Sequence, residues 1–343
     1  MIDNIQKLEN TPRIALTLNL SINSPEKYAG QYSLMNRLLM QGTKKYSSQE
    51  LATLLDENAI ELYTEMKYDY LRFRFVCLNE DFELALSILS DIVQNSTFED
   101  FEKERIKLKG ELQAELDSAR VKIADLFTRT AYQNHYYGNS YNKVIEQVDN
   151  VMLSDVKGAY TEILNNSHKV LTVVGDVDDT VSAVLDKYIG IIPNALQSND
   201  KIPYPEKNVG KKSSEIIKKD AQQAQIIQGW LVPTIGSDDY EKLMLLNIIL
   251  GASGLSSRLF LELREKKGLA YTVRSSYETH AKSAIFSIYI GTEPSNIETS
   301  INGFNIEIEK IKNELISEEE LFNAKNNIIG KQQFLTETNY QLA

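Results

Sequence analysis

Residues 250–271 read LGASGLSSRLFLELREKKGLAY. The run divides into the end of an amphipathic helix predicted over Asp239–Leu250, a loop of glycine and serine, a second helix over Ser256–Lys266, and the start of a strand after Gly268. Working outward, Ala224–Val232 reads as a strand before the first helix. The strand pair Ala270–Tyr277 and Ala284–Gly291 follows, and then a helix over Ser295–Lys312.

The first half has the same order. Ile14–Leu20 alternates as a strand with one buried face, and Leu34, Met35, Leu38 and Leu39 fall at helical spacing within Tyr32–Gln41. Ser47-Ser48-Gln49-Glu50 opens another helix. Glu61–Met66 and Tyr70–Leu78 read as a hairpin, followed by an amphipathic helix over Phe82–Gln94. A long charged helix over Phe98–Leu116 is predicted to bury Ile106, Leu108 and Leu112, and its Glu102, Glu104, Glu111 and Glu115 to face solvent. A helix from Ser154, a strand Val170–Val174 ending in Gly175-Asp176, and a helix over Thr180–Ile189 complete the half.

The repeat, with Leu62-Tyr63-Thr64 matching Ala270-Tyr271-Thr272, predicts an α+β fold of two similar domains related by duplication. Each is expected to be a mostly antiparallel sheet packed with helices. The expected boundaries are 1–195, a linker rich in Pro, Asn, Lys and Ser at 196–213, and 214–343, with the second copy lacking a counterpart of Val170–Val174.

With 343 residues the chain is long enough for two ordinary cores. Its formal charge of −11 opposes binding to nucleic acid, and reads first as solubility and second as a field that steers basic peptides. No run is apolar enough to span a membrane, and the first residues lack a secretory signal, so the expected location is cytoplasmic unless a leader has been removed. The single cysteine, Cys77, lies in an apolar run and is expected in the core.

The 250–271 stretch, with Val174-Gly175-Asp176-Val177, Tyr188-Ile189-Gly190 and Gln225, resembles the pitrilysin and insulinase family, the inverted zincins. In that family two histidines and a glutamate in HxxEH hold zinc and activate water. Taking register from Gly42-Thr43, the three motif positions fall on Ser33, Asn36 and Arg37. None of these suits zinc: serine is a poor ligand, asparagine has no basic lone pair, and arginine is a permanent cation. His135, His168 and His280 are too scattered in sequence to restore the motif. The resemblance makes Glu111 a relic of the downstream zinc ligand. It also makes Arg264 and Tyr271 the pair that binds peptide and stabilises the oxyanion.

The resemblance therefore implies a subunit inactive alone, without metal of its own, that serves an HxxEH-bearing homologous partner carrying zinc and acts on an unfolded peptide. Alternatives are a structural subunit resembling the core proteins of respiratory complexes, and a peptide-capturing module working alone or as a homodimer. A hydrolase built on Ser253, Ser256 or Ser257 lacks both a GxSxG elbow and a nearby histidine.

Overall fold

A computed structural model describes residues 2–193, 201–202, 214–216 and 222–343. In chain order the elements are β1 (Ile2–Lys7), β2 (Arg13–Ser21), α1 (Gln31–Leu38), α2 (Ser48–Glu57), β3 (Glu61–Met66), β4 (Tyr70–Leu78), α3 (Phe82–Asn95), α4 (Phe101–Glu115), α5 (Ala119–Ala131) and α6 (Tyr141–Gln147). They continue with α7 (Leu153–Asn166), β5 (Lys169–Gly175), α8 (Val181–Tyr188), β6 (Ala224–Val232), α9 (Tyr240–Asn247), β7 (Ala270–Thr279), β8 (Ala284–Thr292), α10 (Ile297–Asn313), α11 (Glu318–Phe334) and α12 (Asn339–Leu342). Two compact units contain them, one of residues 1–114, 141–202 and 335–343, the other of 115–140 and 203–334. The linker expected at 196–213 lies outside the described residues apart from 201 and 202.

The first unit is built on a sheet of order β1-β5-β2-β4-β3, antiparallel except for β1 beside β5. Ile14, Leu16, Leu18 and Leu20 of β2 are buried as their alternation predicts, but Ala15 and Thr17 on the opposite face are buried too. On that second face Arg74, the cross-strand neighbour of Thr17, donates from Nε to Thr17 Oγ1 at 3.1 Å, and Tyr340 of α12 lies over it, 4.2 Å from the guanidinium. Strand β1 was not predicted. Its residues from Asn4 to Lys7 are exposed along a sheet edge, so they carry no apolar alternation. Cys77 is buried, and burial pushes its thiol up to about 12.

The second unit repeats the theme with the sheet β6-β8-β7. As in β2-β4-β3, the later strand of the hairpin sits in the middle, and β6 pairs with β8 over nine residues just as β2 pairs with β4. Among the described residues no strand borders the other edge of β6. Leu259, Leu263, Val273, Phe286, Ile288, Ile290 and Phe304 form the core. The opposite sheet face receives α5, an element the sequence reading did not assign. Gly229 makes its approach possible: a Cβ there would lie 2.5 Å from Phe127 Cζ. No helix among the described residues is long and apolar enough to cross a membrane.

Candidate functional site

Helix α1 buries Leu34, Met35 and Leu38, so its remaining face carries the three motif positions. Ser33 is exposed, whereas Asn36 and Arg37 are half-buried. The Asn36 amide donates to the Thr64 carbonyl of β3 at 3.4 Å, and its own Oδ1 is buried with no hydrogen-bond partner among the described residues.

Arg37 reaches across to α4. Its Nη2 bonds Glu111 Oε2, and its Nη1 lies 3.4 Å from both Glu111 Oε1 and Glu104 Oε2. Glu104 is only 3% exposed and accepts a further bond from Lys107 Nζ at 2.6 Å. This corrects two expectations for α4. Glu104, expected toward solvent, is buried with Leu108 and turned toward Arg37, and Ile106, expected in the buried stripe, is 69% exposed; Glu102, Glu111 and Glu115 are exposed as expected.

A zinc ion does not fit these residues. It would meet one hydroxyl, one amide and a guanidinium already bonded to the carboxylate that could serve as a ligand. Among the described residues no group of three histidine, cysteine or carboxylate side chains is placed to hold a metal. Two histidines do come together elsewhere: His135 and His280 each lie 4.6 Å from the Tyr137 ring, and His135 Nδ1 accepts from the Tyr137 amide. His168 is exposed.

In the second unit Arg264 lies in a π-helical turn, Phe260–Glu265, and the chain turns away from it at Gly268, whose φ is 61°. Such single π turns occur often at functional sites because the extra residue re-aims the side chains around it. The bidentate pair of Arg258 with Glu320 (2.7 Å for both bonds) anchors the segment before this turn, and it holds the Glu320 carboxyl below its ordinary value.

Tyr271 is set by a second irregularity. Ala270 pairs with Thr292 and Thr272 with Gly291, so Tyr271 is the extra residue of a β-bulge at the start of β7. The bulge leaves it 83% exposed, with the Arg264 guanidinium 5.0 Å from its ring and 4.6 Å from that of Phe260. The structure thus brings Arg264 and Tyr271 together as a cation stacked on a phenol whose hydroxyl has no hydrogen-bond partner among the described residues. Ser253 and Ser256 bond each other at 3.3 Å, and Ser257 is buried with its hydroxyl on the Gly254 carbonyl.

Sequence reading missed Glu104 as a partner of Arg37. The available signal was its spacing of seven residues, two helical turns, from Glu111. The bulge and the π turn leave no local mark, since each is a single inserted residue.

Residues 9–143 match the family model described as Insulinase (Peptidase family M16), and residues 150–328 match that of the Peptidase M16 inactive domain. A Rickettsia felis protein named uncharacterized zinc protease is 28% identical over 346 residues, covering 95% of this chain and 82% of the relative. The uncharacterized zinc protease YmxG of Bacillus subtilis is 24% identical over 331 residues, covering 94% of this chain and 80% of the relative. Among solved structures, a protease from Helicobacter pylori matches with a TM-score of 0.88 at 21% identity, over 99% of this chain and 84% of that one. A peptidase M16 inactive domain from Pseudomonas fluorescens matches with a TM-score of 0.84 at 21% identity, over 95% and 80%.

Proposed function

The chain belongs to peptidase family M16, the insulinase family, and from that membership we propose that it is the subunit without a zinc site in a two-subunit peptidase, lending Arg264 and Tyr271 to an HxxEH-bearing homologue. The observation that carries this reading is the state of Tyr271. A large aromatic side chain 83% exposed, lifted from its strand by a bulge and stacked on a guanidinium with no carboxylate partner among the described residues, has no packing role to explain it. The ion pair of Arg37 with Glu111 supports the other half of the reading, because it fills the place where this chain's own metal would sit.

The chemistry follows from the donors. Strand β7 lies at the edge of its sheet, where an extended peptide can add as a further strand with little demand on its sequence. When the scissile carbonyl is attacked, negative charge collects on its oxygen, and the Tyr271 hydroxyl can donate to it. Arg264 offers several fixed donors to the peptide's backbone carbonyls. Activation of water is left to the partner, since nothing at Ser33, Asn36 or Arg37 can do it.

The test is hydrolysis of an unstructured peptide by the chain alone, by the HxxEH homologue alone, and by both together, with zinc measured in each. Activity is expected only in the mixture. There, Tyr271→Phe should lower kcat by roughly 100- to 1,000-fold, the scale of losing one oxyanion donor. Unchanged turnover would remove the catalytic role, and a stable complex with no peptidase activity would make the chain a structural subunit.

A further inference from the structure

Tyr289, in the middle of β8, lies on the sheet face opposite the core residues Phe286, Ile288 and Ile290, and its hydroxyl donates to Gln225 Oε1 at 2.6 Å. Two arginines close on its ring. Arg274 is its partner in register on β7, with the guanidinium carbon 5.7 Å from the ring centroid; Arg120, from the first turn of α5, also stands at 5.7 Å. Both are exposed, and neither has a carboxylate partner among the described residues. In the same unit Arg129 and Arg258 are paired with Glu215 and Glu320. The absence matters in a chain with 48 acidic and 37 basic residues, where carboxylates are in excess.

Each guanidinium is attracted by the ring, but the two repel one another. An anion in contact with both would relieve that repulsion and gain charge-assisted hydrogen bonds from two planar forks. Thr272, Arg274 and Ser276 alternate with the core-facing Val273, Ser275 and Tyr277, so Arg274 is presented on the face of β7 turned away from the core. At ~3.3 Å per residue it stands about 10 Å along the strand from Tyr271.

We propose that Arg120 and Arg274, gathered on Tyr289, form a carboxylate-binding subsite that takes an acidic side chain or the terminal carboxylate of a peptide, two or three residues from the bond placed at Tyr271. The proposal rests on the reading of the chain as a peptide-binding subunit. It adds a local preference for anionic peptides to a molecule whose overall charge repels them.

The experiment measures binding of four fluorescent, unstructured peptides to the intact chain at low ionic strength. They carry Glu or Gln at the variable positions and end in a free acid or an amide. A carboxylate-bearing peptide should bind about tenfold more tightly than the Gln amide, and the preference should fade with added salt. Tracking with Glu identifies a side chain as the ligand, and tracking with the free terminus identifies the C-terminus.

Arg120→Gln with Arg274→Gln should bring the ratio to about one, and Arg274→Glu should invert it. Unchanged melting temperatures would show that these exposed substitutions leave the fold intact. Equal affinities for all four peptides, no measurable binding, or a preference that survives in the double variant would overturn the subsite. Binding is read without partner or turnover, so its outcome is separate from that of Tyr271→Phe in the hydrolysis assay.

Discussion

Arg37 can hold Glu104 and Glu111 together because a guanidinium donates in one plane from two nitrogens, and the two carboxylates stand two turns apart on α4. With its side chain 4% exposed, Glu104 is held by two cations, Arg37 at 3.4 Å and Lys107 at 2.6 Å, since a buried carboxylate is tolerated only when paired. Replacing the arginine alone should therefore weaken the fold without making a metal site. Arg37→Met is expected to cost about 1–3 kcal/mol in urea denaturation. The combination Ser33→His, Asn36→Glu and Arg37→His frees Glu111 and supplies two imidazoles one helical turn apart. That variant should retain close to one zinc ion per chain after gel filtration, whereas wild type and Arg37→Met retain none. Stoichiometric zinc in the wild-type chain would show that Arg37 does not block the site.

Helix α11 fully buries only Ala324, which packs with Ile248 and Ile249 beside the partly buried Ile328, and the bidentate Arg258–Glu320 pair ties its first turn down. The Arg258 guanidinium holds the Glu320 carboxyl below its usual range. A carboxylate depressed in the folded state contributes stability that is complete above its unfolded pKa, about 4.3, and is lost as pH falls through the lower folded value. Wild type should accordingly lose about 1 kcal/mol more than Glu320→Gln between pH 6 and pH 3, and be the more stable of the two only at the upper end. Parallel pH curves for the two proteins would contradict the assignment.

The same elements show what the sequence makes legible. The β3–β4 hairpin could be read because Leu62, Leu71, Phe73 and Phe75 alternate toward one core. Motif spacing singled out Ser33, Asn36, Arg37, Arg264 and Tyr271, and among these the structure sets Arg264 against Tyr271 and Arg37 against Glu111. The contact of Arg37 with Glu104 left only the seven-residue spacing from Glu111 as a trace, and the bulge at Tyr271 and the approach of α5 to Gly229 left none, since each depends on residues distant in sequence or on one insertion without a composition of its own.

Each unit is assembled from pieces of chain that are not consecutive. The second unit takes residues 115–140, which include Phe127 at Gly229 and Tyr137, whose hydroxyl accepts from the Lys282 amide at 3.1 Å. The first unit takes 335–343, where Tyr340 covers Arg74 and Asn339 Nδ2 donates to the Arg13 carbonyl at 2.6 Å. A break between residues 202 and 214 would thus divide the sequence near its compositional boundary without dividing the folding units. The piece 214–343 would lack the helix on one face of its sheet, and the piece 1–202 would lack the cover of β2. Expressed alone, 214–343 should show no cooperative melt, or one lowered by more than about 10 °C, because a domain of this size loses several degrees for each kcal/mol. Coexpressed, the pieces should copurify and recover a transition near that of the intact chain. A cooperative transition of 214–343 alone at the intact temperature would mean that residues 115–140 contribute little to the second unit. It would also weaken the basis for placing Arg120 beside Tyr289.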